Sequence, residues 1–165
     1  MVIAPLSADT RPDLAYVLNN LREWDRREIA AVSWSDNPQD WIDAHQSDDA
    51  PFSFMAYSDT GRPVAAIGAA EMFPGLWSPW AFGTDEFGSI GLGLTRFVRN
   101  QFIPALEELG FRRAEVLSME GHDQSHRWLT ACGGVQEGIF RRYGKNGENF
   151  VQFVWYGADT SGHAG

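Results

Sequence analysis

Cysteine is almost absent: the 165 residues include one, Cys132, which excludes a disulfide framework within the chain and a cysteine-based zinc site, and suits a reducing compartment. Folding should call for no metal. Lysine is just as scarce, one against twelve arginines, and no basic run stands clear of acidic neighbours, so nucleic acid is not an expected partner. No stretch of about 18 apolar residues occurs, and residues 1–13 show no basic segment followed by an apolar one. Neither a membrane partner nor an export signal is expected, and the expected location is cytoplasmic.

What is present is an acidic chain rich in aromatic side chains. Hydrophobic residues make up 44% and seven tryptophans are included, enough for one sizeable core and unlike a disordered composition. The charge is unevenly spread. Residues 1–86 hold 14 acidic side chains against 5 basic, whereas residues 87–165 hold 8 of each, so a cation should favour the first half and an anion the second.

Spacing divides the chain into alternating elements. Val2 to Leu6 reads as a strand, and Leu14, Val17, Leu18 and Leu21 after Thr10 and Pro12 give a helical stripe. A second helical stretch reaches Trp34, and Asn37-Pro38 opens a short helix that Asp48 to Pro51 ends. Phe52 to Tyr57 and Val64 to Met72 flank the turn residues Asp59 to Arg62, and Leu76 to Phe82 adds a third antiparallel strand, in which Pro79 demands an edge, a bulge or a break. A central helix is expected to start at or just after Ile90, to run to Leu109 before Gly110, and to kink at Pro104. A strand, Ala114 to Met119, a helix, Asp123 to Ala131, and a hairpin, Val135 to Tyr143 with Phe150 to Tyr156, complete the order. This is an α+β fold with a mixed, mostly antiparallel sheet flanked by helices. A single domain over 1–156 and a flexible tail over 157–165 are expected.

Gly88, Gly91 and Gly93 lie between a strand and the expected central helix, where absent side chains let backbone N–H groups approach an anion beside the positive helix end. The pattern is not G-x-G-x-x-G and lacks the Lys-Ser/Thr of a phosphate-binding loop. With that loop in place, the element order resembles the GNAT superfamily of acetyl-CoA-dependent N-acyltransferases over most of the chain. The segment from His122 to Gly134 is similar to that family's Asn-x-x-Ala-x-x-x-Tyr-x-x-x-Gly-Phe helix. Within the superfamily, Ser125 to Leu129 together with Tyr143, Gly147 and Phe150 looks like the small GNAT-like proteins of lytic phages, some of them internal virion proteins.

The resemblance implies acetyl transfer from acetyl-CoA to a primary amine of a small molecule or a protein lysine. It implies cofactor contacts at Trp80, Phe82, Gly88, Ser89, Ile90, Gly91, Leu92, Gly93 and His126, with a cationic amine or a host protein as partner and a monomer or homodimer as assembly. Two departures stand out: Gly88 replaces the usual Gln or Arg, and Leu129 replaces the tyrosine that protonates the leaving thiolate. Glu71 is the first candidate base, with Asp85 and Glu86 behind it, and His122 and Tyr143 are candidate substitute acids. His122 and His126 have metal-ligand spacing without a third ligand nearby, so no metal site is expected. The alternative function is a catalytically degenerate GNAT-fold phage protein, packaged in the virion or binding a host protein.

Overall fold

The computed structural model describes residues 1–45 and 52–158. The expected helix end at Asp48 to Pro51 and the tail from residue 159 onward lie outside them.

A seven-stranded sheet runs in the order β1 (Val2–Pro5), β2 (Ser53–Tyr57), β3 (Pro63–Phe73), β4 (Leu76–Gly83), β5 (Arg113–Met119), β7 (Phe150–Tyr156) and β6 (Val135–Phe140). Each neighbouring pair is antiparallel except β4 with β5. Helices α1 (Arg11–Asn19), α2 (Glu23–Ala31) and α3 (Pro38–Ala44) lie between β1 and β2 in the chain, α4 (Phe87–Phe97) and α5 (Ile103–Glu108) follow β4, and α6 (Asp123–Ala131) follows β5.

Local chemistry accounts for these boundaries. Pro12 in the first turn of α1 has no N–H to leave unpaired, and Leu14, Val17 and Leu18 bury the expected stripe against Met55, Ala66 and Phe82. Asn37 caps α3 by accepting the Gln39 N–H at 3.0 Å. Gly75, at φ +86°, turns β3 into β4, and a side chain there would collide with the Arg112 guanidinium. On the α4 face of the sheet, Ala65, Ile67, Ala69 and Trp77 pack against Phe87, Ile90, Leu94 and Phe97 to form the larger core.

Two expectations need correction. The central helix begins at Phe87, not near Ile90, so Gly88 to Gly93 form its first turns rather than a loop before it. Glycine's low helix propensity concealed this, and burial of Phe87, Ile90 and Leu94 at i, i+3 and i+7 overrides it. The expected kink at Pro104 is a π-helical turn over Val98–Phe102, one element earlier, where the Ile103 N–H reaches back to the Val98 carbonyl. Pro104 cannot donate to Asn100, and the widened turn makes room for its ring.

Between β4 and β5 the sheet is nearly severed. Only Leu76 with Arg113 and Trp77 with Ala114 are in register, and beyond them the two strands run on without pairing. Pro79 belongs to this gap. Its register partner Ala69 turns its own N–H to the Phe52 carbonyl just before β2, so the Pro79 nitrogen points away from β3 and toward the side where β5 has departed.

Candidate active site

A cavity of about 660 Å³ occupies the gap. Its walls come from β4 (Ser78 to Phe82), β5 (Val116 to Ser118), α6 (Ser125, Trp128 and Leu129) and α2 (Glu28 and Ile29) with Val32 just after it. The lining is largely apolar. Four exposed side chains, Val32, Met72, Phe73 and Tyr143, are among those that border it.

Helix α2 spans the strand ends that diverge around this space. Asp25, 3% exposed, accepts the Gly83 N–H of β4 at 2.8 Å through Oδ2 and pairs with Arg22 Nε at 2.8 Å. One turn later, Glu28 serves β5: its Oε1 accepts the Ser118 hydroxyl at 2.7 Å, the Met119 N–H at 2.7 Å and His122 Nδ1 at 2.8 Å. Because a carboxylate only accepts, His122 carries its proton on Nδ1. The other ring nitrogen, Nε2, has no hydrogen-bond partner among the described residues and lies 3.8 Å from Asp25 Oδ1. Trp24 stacks flat on the His122 ring at 5.3 Å, with the Arg27 guanidinium on top of Trp24. Burial raises the Asp25 carboxyl above its ordinary range, opposed by Arg22 and the Gly83 amide.

The sequence candidates scatter around this centre. Trp80 and Phe82 line the cavity as a stacked pair 5.3 Å apart, over the space that Gly68 leaves open. His122 is 1% exposed and is hydrogen-bonded to Glu28, which itself lines the cavity. Tyr143, 49% exposed, borders the cavity against Phe140 and Phe150. Glu71 is not among the lining residues; its Oε1 accepts the Gly75 N–H at 3.0 Å and closes the β3 to β4 turn. Glu86 pairs with Arg62, and Asp85 is exposed.

The glycines differ among themselves. A side chain at Gly91 would meet nothing within 4 Å, one at Gly88 would approach Gln124 of α6, and one at Gly93 would meet Met1 at 3.2 Å. Gly93 thus borders a separate cavity of about 370 Å³ beside Met1, Arg96 and Asn100. Ser89 turns its hydroxyl to the Glu86 carbonyl at 2.7 Å, Ile90 is buried in the core, and Leu92 is exposed. His126 is partly buried against Phe153, and desolvation lowers its pKa. The Cys132 thiol is pushed up to about 12 by burial, so it stays protonated at neutral pH. Trp41 is buried, whereas Trp34 is fully exposed.

Sequence reasoning missed Arg22, Asp25 and Glu28. They sit three residues apart, on one face of α2, and that spacing was the available signal. Their neighbours Glu23, Arg26 and Arg27 are exposed, and only the placement of α2 across the gap buries Asp25 and partly covers Arg22 and Glu28.

The chain matches no family model and no curated protein sequence. Its fold does match solved structures over nearly its full length. A ribosomal-protein-S18-alanine N-acetyltransferase from Escherichia coli aligns with a TM-score of 0.69 at 14% identity, covering 98% of this chain and 97% of the other. A GNAT-superfamily phosphinothricin acetyltransferase from Sinorhizobium meliloti, solved with acetyl-CoA, aligns with a TM-score of 0.67 at 14% identity over 94% and 88%. A spermidine N-acetyltransferase from Vibrio cholerae gives 0.64 at 15% over 94% and 95%. The architecture is the GNAT acetyltransferase fold, with its sheet parted between β4 and β5. No helix among the described residues is long and apolar enough to cross a membrane.

Proposed function

We infer that this protein is a cytoplasmic N-acetyltransferase that moves an acetyl group from acetyl-CoA to a primary amine. The observation that carries the reading is the cavity between β4 and β5, which combines an apolar slot with unpaired strand edges. A thioester arm suits such a slot. By the alternation that turns the Pro79 nitrogen and the Gly83 N–H toward the gap, Ala81 presents its N–H there too. That N–H is a donor for an amide or thioester oxygen, where negative charge grows as the amine attacks.

The diphosphate would sit at the start of α4, where Gly88 and Gly91 keep the first turns bare. The side chain that Gly88 does not supply has a substitute in Arg22. Its guanidinium lies 4.1 Å over the Phe87 ring, its Nη1 has no hydrogen-bond partner among the described residues, and it borders the cavity. Acetyl-CoA bound in this way supplies the activated acyl group. The chain's own part is to hold the cofactor, exclude water with Trp80, Phe82 and Trp128, and take the proton from the acceptor.

Titration with acetyl-CoA, followed by melting temperature and calorimetry, tests the reading. A ligand of the native state adds about 2.7 kcal/mol of stability at one hundred times its dissociation constant, and that upward shift is expected. No shift at millimolar acetyl-CoA would reject it. Leu129, 6% exposed in place of a tyrosine acid, favours the second reading, a non-catalytic GNAT-fold protein of phage origin with a virion or host-binding role. Tight cofactor binding without turnover on any amine would select that one.

A further inference from the structure

We propose that Glu28, held by buried His122, receives the ammonium group of the acceptor and takes its proton, and that the acceptor is a primary amine on a compact apolar body. The proposal rests on the acetyltransferase reading and adds to it a base and a substrate class.

The geometry of Glu28 separates its two oxygens. Oε1 is saturated by donors from three directions, the Ser118 hydroxyl, the Met119 amide and His122 Nδ1, which fixes the carboxylate plane. Oε2 makes no hydrogen bond among the described residues, and the side chain keeps 19% exposure on the cavity wall. An ordinary surface glutamate has neither constraint. Three donors on one oxygen of a partly buried carboxylate describe a group held in one orientation for a task performed by the other oxygen.

His122 is a positioning residue. Its ring is clamped by Trp24 on one face, and its unpaired, buried Nε2 faces Asp25 Oδ1 at 3.8 Å. The pair therefore sits in a field made by several charged groups: Arg22 at the N-terminal cap of α2, Asp25 on α2, Arg27 across Trp24, and His126 and Asp123 on α6. Tyr143 stands on the cavity wall.

The proton balance is simple. An ammonium RNH3+ gives one proton to Glu28 Oε2 and becomes RNH2; its nitrogen forms a bond to the thioester carbon while the carbon–sulfur bond breaks. The second proton passes from the nitrogen to the leaving sulfur, giving the amide and the free thiol, and Glu28 returns its proton to water. Glu28 begins and ends as a carboxylate.

The substrate class follows from what surrounds that carboxylate. Ile29 and Val32 follow it along the same wall, Trp80 and Leu129 line the same cavity, and Glu28 and Glu115 are the carboxylates among the lining residues. Glu115 is engaged by Arg113 at 2.8 Å and by Gln152 at 3.1 Å. One free carboxylate fits one ammonium. A polyamine would bring further charges into apolar walls with nothing to pair them, and an amino sugar would bring hydroxyl groups without partners.

Steady-state kinetics decide the matter, with phenethylamine, an alanine-leucine dipeptide amide, spermidine and glucosamine as acceptors at saturating acetyl-CoA. The wild type should prefer the two apolar amines by at least about tenfold in kcat/KM. Glu28→Gln keeps an oxygen for the three donors and removes the base; it should bind acetyl-CoA as the wild type does while kcat at pH 7 falls about 10²- to 10⁴-fold and the acidic limb of the pH profile disappears. His122→Asn should lower kcat and displace that limb without changing acetyl-CoA affinity. Should Glu28→Gln destabilise the chain, Val32→Ser, exposed and one turn further along the same wall, tests the same pocket: KM for phenethylamine should rise. Full turnover in Glu28→Gln, or spermidine preferred over phenethylamine, overturns the proposal while the acetyltransferase reading stands. No turnover of wild type on any of the four overturns both.

Discussion

His126 shows how one side chain's surroundings set a whole-chain property. Burial lowers its pKa below the ordinary 6.5, against the pull of Glu28 and Asp123. Between the lowered value and 6.5 the unfolded chain binds more protons than the native one, so stability rises with pH through that window and is lost as pH falls. The melting temperature should therefore drop between pH 7.5 and 5.5, and His126→Gln should shrink the drop. An equal drop in the variant would assign the acid sensitivity to other groups. Four residues earlier, His122 at the N-terminal cap of α6 lies between the carboxylates of Asp25 and Glu28, where the sequence suggests only a substitute acid. No spacing in the sequence announces its partner Glu28, 94 residues earlier.

At the scale of elements, α4 is the place where pattern and structure disagree most usefully. Six of the seven strands and the helices α1, α3 and α6 lie close to where alternation, capping residues and turn chemistry put them, because those signals are local. The start of α4 was not legible, since three glycines within six residues argue for a loop and only packing of Phe87, Ile90 and Leu94 argues against it. Gly91 gives a direct measurement of what those glycines do. With open space at its absent side chain, Gly91→Ala should raise stability by about 0.5 to 1 kcal/mol in a denaturant titration, from helix propensity alone. If acetyl-CoA affinity falls in the same variant, the bare helix face is a ligand surface; a stability gain with unchanged affinity would make Gly91 dispensable there. Likewise, the face of α2 that carries Arg22, Asp25 and Glu28 acquires meaning from the strand ends it spans, which no window of sequence contains.

For the molecule as a whole, the excess of acid in residues 1–86 falls on the half that supplies α1 to α3 and β1 to β4, and Glu28 belongs to it. Attraction of a cationic acceptor toward this half should weaken with ionic strength. The two register pairs that join β4 to β5 carry a further consequence. A sheet stitched so thinly at its centre should behave as two cooperative units, β1 to β4 and β5 to β7, that open separately, coupled by the two acidic side chains of α2 and by α4 packing. Amide hydrogen exchange should then resolve two classes of slowly exchanging strand amides with different opening free energies, and Glu28→Gln should widen the difference. A ligand seated in the parting would have to touch both units, so saturating acetyl-CoA should merge the two classes into one; exchange that is already uniform in the free protein would mean that the seam, narrow as it is, transmits unfolding across the whole sheet.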